Sequence, residues 1–176
     1  ACREHAAEEP DFKVIVFFVT ARLTQLYAEL FAAMGAPVLE MHSRKSQPAR
    51  TKAADTFRNS NRTIMFSSDV SARGVDYPDV TLVIQVGLPS EKAQYIHRVG
   101  RTARAGKRGK GLLLLGDFER SFLNELSDVP ITPAPDPTRQ QADEATAAVN
   151  AGLDRVPEPT KDQAYRTWLG FYKGYL

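Results

Sequence analysis

The sequence predicts an α/β fold in which a parallel β-sheet carries helices on both faces and a helical C-terminal extension follows. Three observations predict it. Several short, continuous apolar runs are typical of strands that are covered on both sides. These runs alternate with amphipathic segments within the first 128 residues, which is the pattern of right-handed βαβ units. The composition then changes at Asp128, where a proline-rich stretch begins.

The predicted elements follow in order along the chain. The run Val14–Val19 (VIVFFV) predicts a first strand that is covered on both faces. The next segment, Ala21–Met34, has apolar residues at three- and four-residue spacing and ends at Gly35, which predicts an amphipathic helix. Ser46 is the predicted N-cap of the second helix. The other predicted strands are Pro37–Met41, Thr63–Phe66, Thr81–Val86 and Gly111–Leu115, and the other helices are Gln47–Arg58, Ser90–Val99 and Asp117–Leu126.

Residues 1–128 form the predicted sheet domain and residues 129–176 the predicted extension. Four prolines between Pro130 and Pro137 indicate a stiff, extended linker. The pair Asp136-Pro137 predicts the start of a helix that stops at Gly152. After a second proline-rich break, the segment Thr160–Tyr175 predicts a last helix. It carries a largely aromatic stripe at helical spacing, formed by Tyr165, Trp168, Leu169 and Tyr172.

Composition and charge narrow the class of protein. With 43% hydrophobic residues the 176-residue chain can bury a core. The net charge is only +2, but seven Lys or Arg residues lie between Lys92 and Lys110, which predicts a focused anion site. The single cysteine, Cys2, lies near an end that we expect to fray, and it fits a reducing, intracellular compartment. No apolar run reaches about 18 residues, so we expect no membrane span.

The most informative segment is YIHRVGRTARAG, from Tyr95 to Gly106. Arg98, Arg101 and Arg104 recur every three residues, and three neighbouring guanidinium groups repel one another unless anions or carboxylates lie between them. An arginine that reaches a γ-phosphate stabilises the charge that develops during phosphoryl transfer. The alternative is a solvated basic helix face, which is the more common origin of a charge run.

A second candidate segment, SSDVSARGVDYPD, directly follows the predicted third strand. In parallel sheets ligands bind beyond the carboxyl ends of the strands, so Ser68, Asp69, Arg73, Gly74 and Asp76 are expected at that edge. A carboxylate such as Asp76 can accept a hydrogen bond from a ribose hydroxyl. The alternative is an ordinary loop with capping residues.

Gln47 and Arg50 lie at the start of the second predicted helix, and a helix N-terminus with an arginine can hold a phosphate. Thr20, just after the first strand, can touch a phosphate or only cap a helix. His42 and His97 are interpreted as hydrogen-bonding residues, because no carboxylate or cysteine stands at ligand spacing, and no metal site is predicted. No phosphate-binding Gly-x4-Gly-Lys-Ser/Thr loop is present.

Together these segments resemble the second RecA-like domain of a DEAD-box ATP-dependent RNA helicase. VIVFFVT resembles motif IV, QPAR with Phe57 motif IVa, SSDVSARGVD motif V and HRVGRTAR motif VI. The resemblance covers roughly residues 13 to 128. It departs from the family pattern at Ala103, where glycine is usual, at Ser68, where threonine is usual, and at Ser43, where glycine usually follows the histidine.

The resemblance implies a role for each matching residue. Arg101 and Arg104 would act as arginine fingers on ATP, and Gly74 and Asp76 would bind the nucleotide. Interdomain coupling would fall to Arg73, His97 and Arg98. RNA-backbone contacts, largely independent of base sequence, would come from Thr20, Gln47, Arg50 and Ser68.

The implied cofactors are ATP and Mg²⁺, bound mainly by a first RecA-like domain that this sequence lacks. The implied partners are RNA and that first domain, and this segment alone is expected to be inactive. The extension is similar to that of fungal mitochondrial DEAD-box RNA chaperones, which implies a mitochondrial location. The alternatives are a stand-alone RNA-binding module without an ATP role and a related helicase domain that acts on DNA.

Overall fold

The computed structural model describes residues 1–69, 77–103 and 109–175. Five parallel strands form one sheet in the order β2-β3-β1-β4-β5. The strands are β1 (Lys13–Phe18), β2 (Leu39–Met41), β3 (Thr63–Ser67), β4 (Leu82–Val86) and β5 (Lys110–Leu114). The helices are α1 (Cys2–Glu8), α2 (Ala21–Ala33), α3 (Gln47–Asn59), α4 (Lys92–Val99), α5 (Arg139–Leu153) and α6 (Glu158–Tyr172), with a 3-10 helix at Asp117–Asn124. The predicted α/β sheet is confirmed.

Strand β1 lies in the middle of the sheet, between β3 and β4, and all six of its residues are buried. Successive side chains of β1 point to opposite faces of the sheet, and they contribute to two separate layers of the core. Ile15 and Phe17 pack on one face with Met65, Phe57 of α3 and Tyr77. Val14, Val16 and Phe18 face the other side, where α2 covers them. The sequence prediction of a strand covered on both faces is therefore confirmed.

The extension packs against the sheet domain. Helix α6 lies along α2, and Tyr172 joins Leu88, Phe122 and Leu126 in a third buried cluster. Helix α5 also approaches α2: a Cβ built on Gly152 would lie 2.7 Å from Leu30 Cδ1. The division of the chain into 1–128 and 129–176 stays a prediction. What the structure describes is that the second segment completes part of the core of the first.

Several predicted boundaries were wrong for local reasons. Cys2 is not at a frayed end, because it belongs to α1 and packs partly against the second core layer. Helix α4 begins at Lys92 rather than Ser90, whose N–H donates to Gln94 Oε1. Thr138, not Asp136, caps α5 through a reciprocal capping box with Gln141.

The end of α5 and the start of α6 also differ from prediction. Gly152 lies inside α5, where it permits the close contact with α2 instead of ending the helix. Helix α6 begins at Glu158, with proline in its first turn, rather than at Thr160. Gly35 does follow α2 with φ 77°, as expected for a helix C-terminus. Among the described residues, no helix has the length and apolar character needed to cross a bilayer.

Candidate functional site

The carboxyl edge of the sheet brings together three of the segments that the sequence singled out. Phe17 of β1 and Met41 of β2 both align with Ser67 of β3. The residues that follow these strands therefore start from adjacent positions. The Ser68 N–H donates to the Met41 carbonyl at 3.0 Å, and this bond ties the end of β3 to the end of β2.

Thr20 follows β1 and caps α2. Its Oγ1 accepts from the Leu23 N–H at 3.1 Å, and its carbonyl accepts from Thr24 Oγ1 at 3.0 Å. The same hydroxyl lies 3.3 Å from Thr167 Oγ1 of α6. Thr20 is therefore both a helix cap and a contact of the extension. Its predicted contact with RNA stays a prediction.

Ser68, the second predicted RNA contact, is almost fully buried. The neighbouring Ser67 hydroxyl contacts two carbonyl oxygens, that of Met41 at 3.1 Å and that of Ser68 at 2.6 Å. These bonds fix the backbone just where the chain leaves the sheet. The structure thus places Ser68 at the carboxyl edge, as the sequence predicted.

The turn between β2 and α3 is organised by a carboxylate. Glu40 Oε1 accepts from His42 Nε2 at 2.6 Å and Glu40 Oε2 pairs with Lys45 Nζ at 2.5 Å. Since His42 Nδ1 accepts from the Arg44 N–H at 3.2 Å, the proton of the neutral imidazole is on Nε2. Burial raises the pKa of Glu40, but the hydrogen bonds from His42 and Lys45 outweigh it and the pKa is lowered.

The sequence analysis interpreted His42 correctly as a hydrogen-bonding residue but overlooked Glu40. Glu40 lies on β2 and His42 directly follows the strand, two positions later, so extended backbone would direct both side chains to the same face. That spacing was a usable signal. Among the described residues, no group of three or more His, Cys, Asp or Glu side chains is placed to hold a metal ion.

Helix α3 begins after this turn and carries the two predicted motif IVa residues. Ser46 caps the helix, with its Oγ 3.4 Å from the Ala49 nitrogen, so the predicted cap is confirmed. Gln47 is exposed, and Arg50 is half-buried. The Arg50 Nε atom is buried and has no hydrogen-bond partner in the described part of the chain. A buried N–H donor of this kind is suited to an incoming acceptor.

Arg98, predicted to couple two domains, lies inside this one and is only 1% exposed. Its Nε and Nη2 atoms donate to Asp69 Oδ1 at 2.8 and 2.7 Å, and its Nη1 lies 3.5 Å from Gln85 Oε1. The guanidinium also lies 5.4 Å from the centre of the Phe17 ring. Burial lowers the pKa of Arg98, while the Asp69 carboxylate opposes this change. Arg98 therefore lies in the interior of this domain, and its predicted role in interdomain coupling stays a prediction.

Arg101 follows the end of α4, between two fixed points. Arg98 anchors the helix in the sheet, and the Thr102 hydroxyl donates to the Val80 carbonyl. Arg101 itself is half-buried, and its Nε donates to the His97 carbonyl at 3.2 Å. His97 is exposed on the same helix. Ala103, which follows Thr102, has a φ of 55°. The last turn of this segment is thus fixed from both sides.

Four predicted site residues lie outside the described residues. They are Arg73, Gly74, Asp76 and Arg104. Their predicted roles stay predictions. The described part of motif V is its start, from Ser67 to Asp69, and the described part of motif VI runs as far as Ala103.

The structure also reveals a buried polar pair that the sequence analysis missed. Glu119, in the 3-10 helix, accepts from the Leu88 N–H at 3.0 Å, from the Gly116 N–H at 2.5 Å and from the Tyr172 hydroxyl. Burial and the neighbouring carboxylate raise the pKa of Tyr172 well above its ordinary value. The contact lies over Gly87, where an added Cβ would be 2.6 Å from the Tyr172 hydroxyl oxygen.

Chemically, the described part of the site offers hydroxyl, amide and guanidinium donors at one edge of a parallel sheet. Such groups bind anions, and they bind phosphate in particular. In the described residues no carboxylate cluster accompanies them that could hold a metal ion. The arrangement is therefore suited to contacting phosphate groups.

Comparison with known proteins identifies the family to which this chain belongs. The model of the helicase conserved C-terminal domain matches residues 1–106. DEAD-box ATP-dependent RNA helicase 26 of Oryza sativa subsp. japonica is 53% identical over 97% of this chain and 31% of its own length. The protein of the same name from Arabidopsis thaliana is 50% identical over 97% of the chain and 20% of its own length. The chain thus spans less than a third of these two relatives.

Solved structures agree with the sequence matches. Mss116p DEAD-box helicase domain 2 bound to an RNA duplex aligns with a TM-score of 0.78 and 30% identity, over 98% of this chain and 70% of that one. S. cerevisiae Dbp5 bound to RNA and ADP BeF3 aligns with a TM-score of 0.65 and 26% identity, over 81% of this chain and 39% of that one.

Proposed function

Since the chain belongs to the helicase conserved C-terminal domain family, as the second domain of a DEAD-box RNA helicase, we propose that it completes an ATP site on a first domain and grips the RNA backbone. Arg101 and Arg104 would neutralise charge that develops on the γ-phosphate. Thr20, Gln47, Arg50 and Ser68 would contact RNA phosphates. The whole protein would use ATP to separate RNA strands.

The observation that carries this proposal is the way Arg101 is held. Arg98 and Thr102 are buried on either side of it. Arg98 anchors the segment to Asp69, just after β3, and to Gln85 of β4, and Thr102 anchors it to Val80, two residues before β4. A preorganised cation loses little freedom when it meets a phosphate, and preorganisation is the main source of electrostatic catalysis. A solvated basic face has no need for two buried anchors.

The proposed nucleotide is ATP with Mg²⁺, and the described residues fit a secondary role in holding them. They provide arginine and hydroxyl groups but no metal-binding cluster. The first domain would therefore hold the triphosphate and the metal ion. This domain would contribute Gly74 and Asp76 to nucleotide binding and the two arginines to the reacting phosphate.

Arg101→Ala in the full-length protein should lower the rate of ATP hydrolysis about a thousandfold, the scale of a lost arginine finger. The fold should persist, because Arg101 is neither of the two buried anchors. Steady-state ATP turnover with saturating RNA measures the effect. Arg120→Ala, which removes an exposed arginine of the 3-10 helix, is the matched control. Unchanged turnover in Arg101→Ala would remove the finger role.

The first experiment is ATP hydrolysis by this chain alone and after addition of a purified DEAD-box first domain, each with and without RNA. We expect hydrolysis only in the mixture and only with RNA. Hydrolysis by this chain alone would contradict a shared site. If a first domain fused to this chain through its natural linker also failed to hydrolyse ATP, the stand-alone RNA-binding alternative would replace the proposal.

We also propose that the full protein acts as an RNA chaperone and that its compartment is the mitochondrion. Support comes from the extension, because Mss116p structures cover 98% of this chain whereas Dbp5 bound to RNA covers 81%. The Oryza and Arabidopsis relatives also align with 97% of the chain, so an extension of this kind is not confined to fungal proteins. ATP-dependent refolding of a misfolded structured RNA would test the first proposal, and import of the full-length protein into isolated mitochondria the second.

A further inference from the structure

The contact between Thr20 and Thr167 has a defined direction. Thr167 Oγ1 donates its single proton to the Ala164 carbonyl of the preceding turn at 3.0 Å. A hydroxyl has one proton and two acceptor sites. The hydrogen bond between the two threonines, at 3.3 Å, must therefore be donated by Thr20 and accepted by Thr167.

With this assignment the Thr20 hydroxyl has no further proton to donate. One acceptor site of its hydroxyl takes the Leu23 N–H that caps α2, and its only proton goes to Thr167. A phosphate oxygen is an acceptor and would need that same proton. The predicted RNA contact and the contact with α6 therefore exclude each other for this hydroxyl.

Helix α6 holds Thr167 firmly in this position. Ala164, one turn earlier, is fully buried. Tyr172, five residues later, is 2% exposed and donates to the buried Glu119 carboxylate. Both fixed points lie on the same helix as Thr167. The acceptor offered to Thr20 is thus part of a packed surface, not the end of a mobile side chain.

We propose that Thr167 is a positioning residue that competes with the RNA backbone for the Thr20 hydroxyl proton and thereby lowers the affinity of this domain for RNA. The inference rests on the proposed contact between Thr20 and RNA. On binding, the Thr20 hydroxyl rotates from Thr167 to a phosphate oxygen. The cap on Leu23 and the Thr167 bond to Ala164 both persist, so no covalent bond changes and no proton is transferred.

The test is Thr167→Val, which keeps the shape of the side chain and removes the acceptor. Binding of a fluorescent RNA duplex to the 176-residue chain should tighten about two- to tenfold, the scale of one hydrogen bond that no longer has to be exchanged. Thr167→Ser retains the acceptor and should bind as the wild type does. Thr160→Val, about 10 Å away along the same helix, is the matched control and should also leave the affinity unchanged.

Thr20→Val separates this proposal from the proposed function. If Thr20→Val weakens RNA binding, and Thr167→Val no longer tightens binding when combined with it, both the RNA contact of Thr20 and the competition by Thr167 are supported. If Thr20→Val weakens binding but Thr167→Val changes nothing, the competition is wrong and the RNA contact remains. Weaker binding by Thr167→Val would make Thr167 itself an RNA ligand and overturn the competition. If Thr20→Val has no effect, the RNA contact of Thr20 and the competition both fail. Melting temperatures of all variants show that they are folded.

Discussion

Ala103 stands in a backbone conformation that favours glycine, with φ at 55°. A side chain there crowds the following carbonyl, which costs roughly 1–2 kcal/mol. Ala103→Gly should therefore raise the free energy of unfolding, by about 0.5–1 kcal/mol after the greater freedom of glycine in the unfolded chain is subtracted. Urea denaturation measures it. Ala147→Gly in the middle of α5 is the matched control and should have the opposite sign.

Two tyrosines are equally buried, but their hydroxyl groups differ in hydrogen bonding. Tyr77 and Tyr172 are 1% and 2% exposed. Tyr172 donates to the Glu119 carboxylate, whereas the Tyr77 hydroxyl has no partner among the described residues. Tyr172→Phe should lower the free energy of unfolding by about 1.5–3 kcal/mol, because a buried carboxylate loses a donor. Tyr77→Phe should leave it unchanged or raise it, because no hydrogen bond among the described residues is lost. Equal effects in urea denaturation would contradict the assigned bond.

At the scale of elements, the turn between β2 and α3 should depend on pH through Glu40. Its pKa is lowered from an ordinary value of 4.5 in the folded protein, because the hydrogen bonds from His42 and Lys45 outweigh burial. A group with a lowered pKa stabilises the fold above its unfolded-state pKa and loses that contribution as the pH falls through the folded-state pKa. The contribution of Glu40 is therefore complete at neutral pH and declines below about 4.5.

Glu40→Gln tests this dependence. At pH 7 the variant should be less stable than the wild type by about 1.5–3 kcal/mol, the scale of hydrogen bonds to a charged group. The difference should shrink as the pH falls below about 4.5, where the wild-type carboxyl takes up a proton. Urea denaturation at a series of pH values measures both. Glu144→Gln, on the exposed surface of α5, is the control and should show no such trend.

Elements with a strong local pattern were predictable from sequence. The run VIVFFV predicted β1 to within one residue at each end, because only a strand covered on both faces needs six consecutive apolar side chains. Ser46 predicted the start of α3 because a hydroxyl there accepts from a free helix N–H. These features depend on residues within one turn of one another.

Features set by distant partners were not predictable in the same way. Gly152 has the local signature of a helix end, but its approach to Leu30 decides its place inside α5. Arg98 was predicted to couple two domains, but Asp69, 29 residues earlier, accepts hydrogen bonds from its guanidinium, which is buried in this domain. Glu119 was not singled out, because its donor Tyr172 lies 53 residues later in the chain. No local pattern encodes such pairings.

At the scale of the whole molecule, the extension should be needed for stability and not only for function. Removal of residues 129–176 would expose Leu88, Phe122 and Leu126 and leave Glu119 without Tyr172. The truncated chain should melt at least about 10 °C lower, since a few kcal/mol shift a domain of this size by that much. Differential scanning calorimetry measures it. Tyr165→Ala, at a position of α6 that is 59% exposed, should leave the melting temperature nearly unchanged.

The central position of β1 also determines the order in which the molecule can form. Val14 pairs with Ile64 on one side and with Leu82 on the other, 50 and 68 residues further along the chain. The strand that follows it in sequence, β2, is not its neighbour. Both pairings therefore close long loops, which makes folding slow. In the folded protein the hydrogen bonds of the β1 amides break only when the whole sheet unfolds. The β1 amide protons should therefore be the last to exchange with deuterated water.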